Sequence, residues 1–393
     1  MTNKVHAVSI ALLLCASSQA IGADGYSVSD LGTLGDAVAA AGINEDGVSV
    51  GYALDLLYRY HGWVNTNGVF DQVTGMGMNG QGQMLGINDF NRSIFASYML
   101  GMLSTNAAIY DGSMPMMIGM MMPCAINNSD FIVGSRFVTG PTGLREEQAC
   151  SWHMMNGIQD LPVLSGASSS IAKGLNDAGW IVGSSILPGS LTPTATLWHN
   201  GAASDLGTLG GNMSQAIAIN AANQAVGISE LANGETHAFR FDLDANGSVL
   251  ARVDLGSLSG GYSIALAISD AGQIVGTSGN RAVLWENGKP IDLNSLIPTN
   301  SGWVLNKATG INESGQIVGV GSLGGDPFRA FVLTPTEGCV ADLNGDGALD
   351  FFDVSTLLTA YNSQDPLADL NNDGQFNFFD ISIFLQAFQA GCP

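Results

Sequence analysis

The residues best equipped for chemistry lie near the C-terminus. From Cys339 onward the chain carries eight Asp and no Lys or Arg. In one stretch Asp342, Asn344, Asp346, Asp350 and Asp353 fall at loop positions 1, 3, 5, 9 and 12, with Gly347 at the sharp turn. In a second, Asp369, Asn371, Asp373, Asn377 and Asp380 repeat the spacing around Gly374. A hard cation wants several oxygen ligands, and this alternation turns them into one loop, with the carbonyls of Ala348 and Gln375 between. The expectation is two bound Ca2+ ions. Val354–Ala360 and Ile381–Phe388 have helical apolar spacing, so a helix should follow each loop. The last ligand position is Asp rather than the Glu of an ordinary EF-hand, and no helix is evident before the first loop.

This tail resembles a dockerin, specifically the variant bracketed by Gly-Cys, here Gly338-Cys339 and Gly391-Cys392-Pro393. The duplicated Phe-Phe-Asp stretches within Leu349–Ser355 and Phe376–Ser382 belong to the same pattern. The resemblance covers residues 338–393. It implies a small two-helix calcium module that binds a cohesin-like protein or attaches to a cell surface. Residues 1–23 read as a secretory signal: Lys4, an apolar run Ala7–Cys15, then small residues ending in Ser18-Gln19-Ala20 or Ile21-Gly22-Ala23. That run is about half the ~20 residues that span a bilayer, and no later stretch reads as a transmembrane helix. Secretion permits disulfides. Cys339 and Cys392 would tie the two ends of the module. Cys124 and Cys150 fall on the first and third strands of one repeat, which are not neighbours, so their pairing stays open.

The rest of the 393-residue chain must be read from pattern. A net charge of −22 with no clustering of Lys and Arg excludes nucleic acid as an expected partner. Glycine lacks a three-residue period, and 46% hydrophobic content is too high for general disorder. Scarce Lys and Glu, with Gly, Asn, Asp and Ser at short intervals, favour many short strands.

Seven segments share one form: an apolar residue, Asn or Ser, a polar turn, and an apolar strand ending in Gly. They run from Ile43-Asn44 to Gly51, Met78-Asn79 to Gly86, Ile126-Asn127 to Gly134, Leu175-Asn176 to Gly183, Ile219-Asn220 to Gly227, Ile268-Ser269 to Gly276 and Ile311-Asn312 to Gly319. In Asn44-Glu45-Asp46-Gly47 the Asn side chain can bond nearby backbone while Gly47 takes a positive φ; Asp130 and Asn223 tolerate the same geometry in other copies. A second hairpin follows, with Trp63, Trp152, Trp198, Phe241 or Trp285 ahead of an Asn-Gly turn. Two hairpins recurring about every 45 residues describe a four-stranded propeller blade. The seventh copy supplies three strands, and the orphan strand Tyr26–Leu31 matches the missing fourth. The expectation is an all-β, seven-bladed propeller over residues 24–337, closed by its N-terminal strand and followed by the α-helical module 338–393. The same units resemble the extracellular repeat family named for its His-Ala-Phe motif, seen in His237-Ala238-Phe239, Leu31-Gly32-Thr33-Leu34-Gly35 and Leu206-Gly207-Thr208-Leu209-Gly210-Gly211. That resemblance covers roughly residues 25–337. It implies a secreted protein and prescribes no catalytic residues.

No hydrolase, phosphate-loop or zinc motif is present. His61, His153, His199 and His237 sit in different repeats, and most carboxylates lie in turns or Asp-Leu-Gly units. Thirteen of 15 methionines fall between Met76 and Met155, read as adaptable packing. In a four-stranded meander the first and third turns leave one face, and the second loops and blade links leave the other. The second loops vary: Arg136–Gln148, Ser184–Pro193, Ser229–Thr236 and Gly321–Pro327. Variable loops on a rigid scaffold carry recognition. On that face Arg59, His237, Arg281 and Arg329 stand four residues before the strand-end aromatic or its equivalent. They form a candidate cationic arc for a uronate or a partner's carboxylate. The competing expectation is that each pairs with a local Asp. The sequence thus reads as a secreted, non-enzymatic binding or display protein with an unknown glycan or protein ligand. The alternatives are a polysaccharide-degrading enzyme or accessory carbohydrate-binding component, and a structural envelope protein.

Overall fold

A computed structural model describes residues 25–393 other than 33–36, 58, 74–81, 99–104, 114, 141–142, 144, 188, 337–340, 345–348, 372–373 and 391–393. Gly25–Thr336 forms one compact unit, and the C-terminal residues from Glu337 belong to another.

The larger unit is seven four-stranded antiparallel sheets. Six are sequential meanders, the first built from Ala37–Ile43, Ser49–Leu54, Tyr60–Thr66 and Val69–Gln72. The seventh takes Trp303–Ile311, Ile317–Leu323 and Asp326–Pro335 from the end of the unit and its outer strand, Tyr26–Asp30, from the start. Tyr26 lies opposite Pro335 and Asp30 opposite Phe331. The expected ring closure is present, and it removes the edge that Asp326–Pro335 would otherwise expose.

Each first turn works by local chemistry. The Asn side-chain oxygen accepts the amide four residues on, as from Val48 to Asn44 (2.9 Å) and from Trp180 to Asn176 (3.0 Å). The residue between them has a left-handed φ in every blade: Gly47, Asn91, Asp130, Gly179, Asn223, Gly272 and Gly315. The amide end of the same side chain then reaches the next blade. Asn44 donates to the Asn88 carbonyl (3.1 Å), Asn88 to Asn127 (3.0 Å), Asn127 to Asn176 (3.1 Å) and Asn176 to Asn220 (3.0 Å). Asn220 donates to Ser269 (3.1 Å), and Asn312 returns to Asn44 (3.0 Å) across the closure. These residues are all buried. Ser269, which has no amide, holds the sixth place.

Blade 2 corrects the sequence reading. Its turn is Ile87-Asn88-Asp89-Phe90-Asn91, one strand later than the segment beginning at Met78-Asn79, whose first residues, 78–81, lie outside the described residues. The strand-end glycine hides the match. In the other blades that glycine faces a bulge in the inner strand, and a Cβ at Gly51 would sit 2.0 Å from the Ala39 carbonyl oxygen. Blade 2 has Phe95 there instead, and its ring lies where a Cβ on Gly82 would fall, 1.9 Å away. Large and small residues have exchanged places across the sheet.

The core follows the blade interfaces. Trp63, Val38 and Ala53 of blade 1 pack with Val318 and Ala330 of blade 7, and Phe239 and Phe241 of blade 5 with Trp180 and Leu197 of blade 4. In the C-terminal unit, α1 (Phe351–Ser363) and α2 (Phe378–Ala390) enclose Leu357, Ala360 and Phe384.

Removing Tyr26–Asp30 should lower stability by several kcal/mol, through lost ladder bonds and exposure of the buried Tyr26. A melting temperature equal to that of the intact chain would show that closure contributes nothing. Urea titration of single variants tests the amide circuit. Asn312→Ala, which removes the bond to the Asn44 carbonyl and takes the side-chain acceptor from the Gln316 amide, should cost about 1–3 kcal/mol, whereas Ser269→Asn should add up to about 1 kcal/mol.

Candidate ligand-binding site

Each of several blades ends in one device. The fourth-strand Asp accepts the amide two residues on: Gly32 to Asp30 (3.0 Å), Gly207 to Asp205 (2.7 Å), Gly256 to Asp254 (2.8 Å) and Asn294 to Asp292 (3.0 Å). The chain is thereby turned toward the next blade, and the intervening Leu31, Leu206, Leu255 and Leu293 are buried. The carboxylates also meet third-strand side chains. His237 Nδ1 lies 2.8 Å from Asp254, Thr194 Oγ1 donates to Asp205 (2.7 Å), Arg281 pairs with Asp292, and Arg329 pairs with Asp30. Burial works against ionisation of Asp292, but bonds from Asn294 and Arg281 hold it below the usual carboxylate range. Each residue of the expected arc therefore holds a local Asp.

Strand register changes one of its members. Gly51 faces Trp63, whereas the matching glycines face Cys150, Phe239, Val283 and Phe331. His61, two residues before Trp63, is thus the counterpart of His237, Arg281 and Arg329, and Arg59 lies in the loop before it. The aromatic landmark of blade 1 sits two residues earlier than in blades 3 to 6, which sequence spacing could not show. His61 Nδ1 lies 2.9 Å from Gln72 Nε2, and its Nε2 lies 3.0 Å from Asp55. Arg59 first, then His61, hold the Asp55 carboxyl well below its ordinary range.

On the same face, a cavity of about 470 Å³ opens between blades 6 and 7. Asn280 comes from the second loop of blade 6, Arg281 from the start of its third strand, Ser259 from the link before the blade, and Trp303 from the start of the inner strand of blade 7. Its walls are pinned. Asn294 accepts from the Leu305 amide (2.7 Å) and donates to its carbonyl (2.9 Å), while Asn306 donates to the Asn280 carbonyl (3.1 Å). Trp303 is half-buried and stands edge-on to Phe331, with ring centroids 5.9 Å apart. Arg281 remains 61% exposed despite its ion pair, so its charge reaches the opening.

The opposite mouth is acidic. In every blade but the fourth, whose next blade offers Ala221, the residue after the turn Asn or Ser donates its amide to the matching side chain of the next blade: Glu45 to Asp89 (3.1 Å), Asp89 to Asn128 (2.9 Å), Asn128 to Asp177 (2.8 Å) and Ala221 to Asp270 (2.7 Å). Asp270 donates to Glu313, and Glu313 to Glu45 (3.0 Å). Burial raises the Glu45 pKa, the bond from the Glu313 amide opposes the rise, and the charges of Glu313, Asp89 and Asp270 add to it.

The tail does not form the expected calcium sites. Among the described residues no group of three or more His, Cys, Asp or Glu is placed to hold a metal ion. Asp346, Ala348 and Asp373 lie outside the described residues. The last carboxylate of each loop is instead buried against backbone. Asp353 accepts the Asp350 (2.9 Å) and Asn344 (3.3 Å) amides, and Asp380 those of Asn377 (2.8 Å), Leu370 (3.0 Å) and Asn371 (3.4 Å). Those bonds, the Asn377 amide first, lower the Asp380 pKa. Asp350 caps α1 by accepting from Phe352 (2.7 Å), and Asn377 accepts from Phe379 (2.8 Å). What reads as ligand spacing is, at these positions, a duplicated capping box. Asp369 accepts the Gly374 amide (2.8 Å); Asp342, Asn344, Asn371 and Gln375 are all engaged in interactions as well.

No disulfide is formed among the described residues either. Cys124 and Cys150 are unpaired thiols, and burial pushes Cys150 up to about 12. Cys339 and Cys392 lie outside the described residues.

No family model matches the chain, and no curated protein matches it. Among solved structures it is similar to a puromycin hydrolase mutant complexed with PGG, at 13% identity and a TM-score of 0.50, covering 74% of this chain and 51% of that one. YCF48 bound to D1 peptide is similar at 9% identity and 0.48, covering 80% and 96%. TolB from Acinetobacter baumannii is similar at 13% and 0.42, covering 72% and 63%. The chain thus spans 51% of the hydrolase and 63% of TolB. At such identities the likeness is one of fold. The chain is a seven-bladed β-propeller carrying a small two-helix module, and such scaffolds serve binding or catalysis. Among the described residues no helix is long and apolar enough to cross a membrane.

The acidic mouth makes a pH prediction. A carboxyl whose folded pKa is raised adds stability below its unfolded value and loses that contribution as pH rises through the folded one. Glu45→Gln keeps the oxygen that accepts the Glu313 amide and removes the charge. It should raise the melting temperature at pH 7 and leave it unchanged well below pH 4; a lower value at pH 7 would show that the charge itself holds the seam.

Proposed function

We propose that the protein is a secreted binding propeller that takes a small ligand between blades 6 and 7. The observation that carries this reading is the cavity itself. Its volume lies within the roughly 300–1,000 Å³ of small-molecule sites. It offers an indole face at Trp303 and a half-free guanidinium at Arg281, and its lining contains no carboxylate. Hydrolysis of a glycosidic bond calls for two carboxyl groups flanking the bond, so this lining favours retention of a ligand over its cleavage. A saccharide with a carboxylate fits the chemistry: its apolar ring face lies on Trp303 and its charge meets Arg281.

The C-terminal unit, which resembles a GC-type dockerin, would serve for attachment to a cohesin-like or cell-surface protein. Phe351, Phe352, Phe378 and Phe379 stand exposed at the starts of α1 and α2 and supply an apolar contact surface. The secretory reading of residues 1–23 places both units outside the cell.

A glycan array containing neutral and uronate-bearing oligosaccharides, run with the full mature chain, tests the propeller site. Trp303→Ala should weaken a bound glycan about tenfold to a hundredfold. Arg281→Gln should weaken acidic glycans alone and flatten their salt dependence. Release of reducing ends, or affinities untouched by both changes, would overturn the proposal.

A further inference from the structure

The methionine-rich part of the chain does two different things. Met84 and Met121 are fully buried and pack blade interfaces, as the sequence leads one to expect. Met116, Met117, Met120, Met154 and Met155 do not; Met154 is 65% and Met155 81% exposed. Met116 follows the third turn of blade 2, and Met154 lies in the third turn of blade 3. Both therefore belong to the acidic face, opposite the Trp303 cavity. Phe90 and Phe131, from the first turns of the same blades, are exposed there too, with Phe131 stacked on His153 at 4.4 Å.

Between these turns is a second cavity, of about 130 Å³, lined by Met116, Trp152 and Met154 together with Arg92, Asp111 and Asp130. It is well below the size of a small-molecule site and suits a single apolar side chain. Flexible thioethers adapt to such an insert, and an exposed apolar patch on an otherwise polar surface marks protein contact. The charge around it is one-sided. Arg92 is paired with Asp130, which leaves Asp111 as the further carboxylate of the lining, and Asp89 lies in the first turn of the same blade 2, bonded to Asn128 (2.7 Å).

We infer that this patch docks an extended segment of a partner protein, in which one apolar side chain enters the cavity and flanking Lys or Arg side chains meet the acidic rim. Opposite charge around an apolar anchor sets register and speeds encounter, and here Asp111 and Asp130 stand in the cavity lining itself. This site is independent of the Trp303 cavity and can stand if that reading fails.

The full mature chain, labelled with 13C at the methionine methyls, should be titrated with a fluorescent peptide whose central leucine is flanked by lysines, and with its glutamate-flanked counterpart. The lysine peptide should shift the Met116 and Met154 resonances together and saturate at one equivalent. Met154→Glu should weaken it at least about tenfold, Met154→Leu should retain it, and Leu191→Glu, a change at a residue 98% exposed elsewhere, should have no effect. Equal binding of the two peptides, shifts spread evenly over all exposed methionines, or full binding by Met154→Glu would each overturn the inference.

Discussion

One hydrogen bond, repeated around the ring, organises the propeller: the amide of a turn asparagine given to the carbonyl of the matching asparagine in the next blade. A buried amide that lacks a partner costs about as much as a lost hydrogen bond. Each Asn satisfies its oxygen within its own turn, and its nitrogen reaches a backbone carbonyl of the neighbouring blade, which must therefore be held at a fixed distance. The bond from Asn312 to Asn44 joins residues 268 apart in sequence, so that link forms only when the ring is closed. The N-terminal strand and this circuit enforce the same closure from the outer and inner edges of blade 7.

That closure sorts the chemistry onto two faces. On the side of the variable loops, cations and acids cancel in pairs at the ends of the blades. Charge there is local, and Arg281, though paired with Asp292, keeps an exposed guanidinium beside Trp303. On the other side, carboxylates are brought together by the backbone amides they accept. Their mutual repulsion is a cost of the same closure that the asparagines stabilise.

The C-terminal unit shows how one spacing can serve two ends. Acceptor oxygens at alternate positions, followed by a helix, describe a cation loop and also a helix start, because both demand oxygens aimed at concentrated positive charge. In this structure Asp353 and Asp380 are buried against backbone amides, and the cation they neutralise is the partial positive charge of the helix start. The duplicated Phe pairs that follow remain outside that small core.

Much of the fold is written locally. Asn44, Gly47 and their counterparts act within four residues of one another, so turn, strand length and blade period could be read in a short window, and the orphan strand Tyr26–Asp30 announced the closure. Tertiary structure decided the rest. Blade 2 turns at Asn88 rather than Asn79, and its pattern is masked because Phe95 replaces a glycine whose role depends on the bulge across the sheet and on Gly82 making room. His61, rather than Arg59, took its place among the third-strand residues because register is counted across strands and not from the nearest aromatic. The Trp303 cavity and the methionine patch join residues from different blades, and no sequence window contains both sides. Sequence determines what a residue can do with its near neighbours; which distant group it meets is set only when the ring closes.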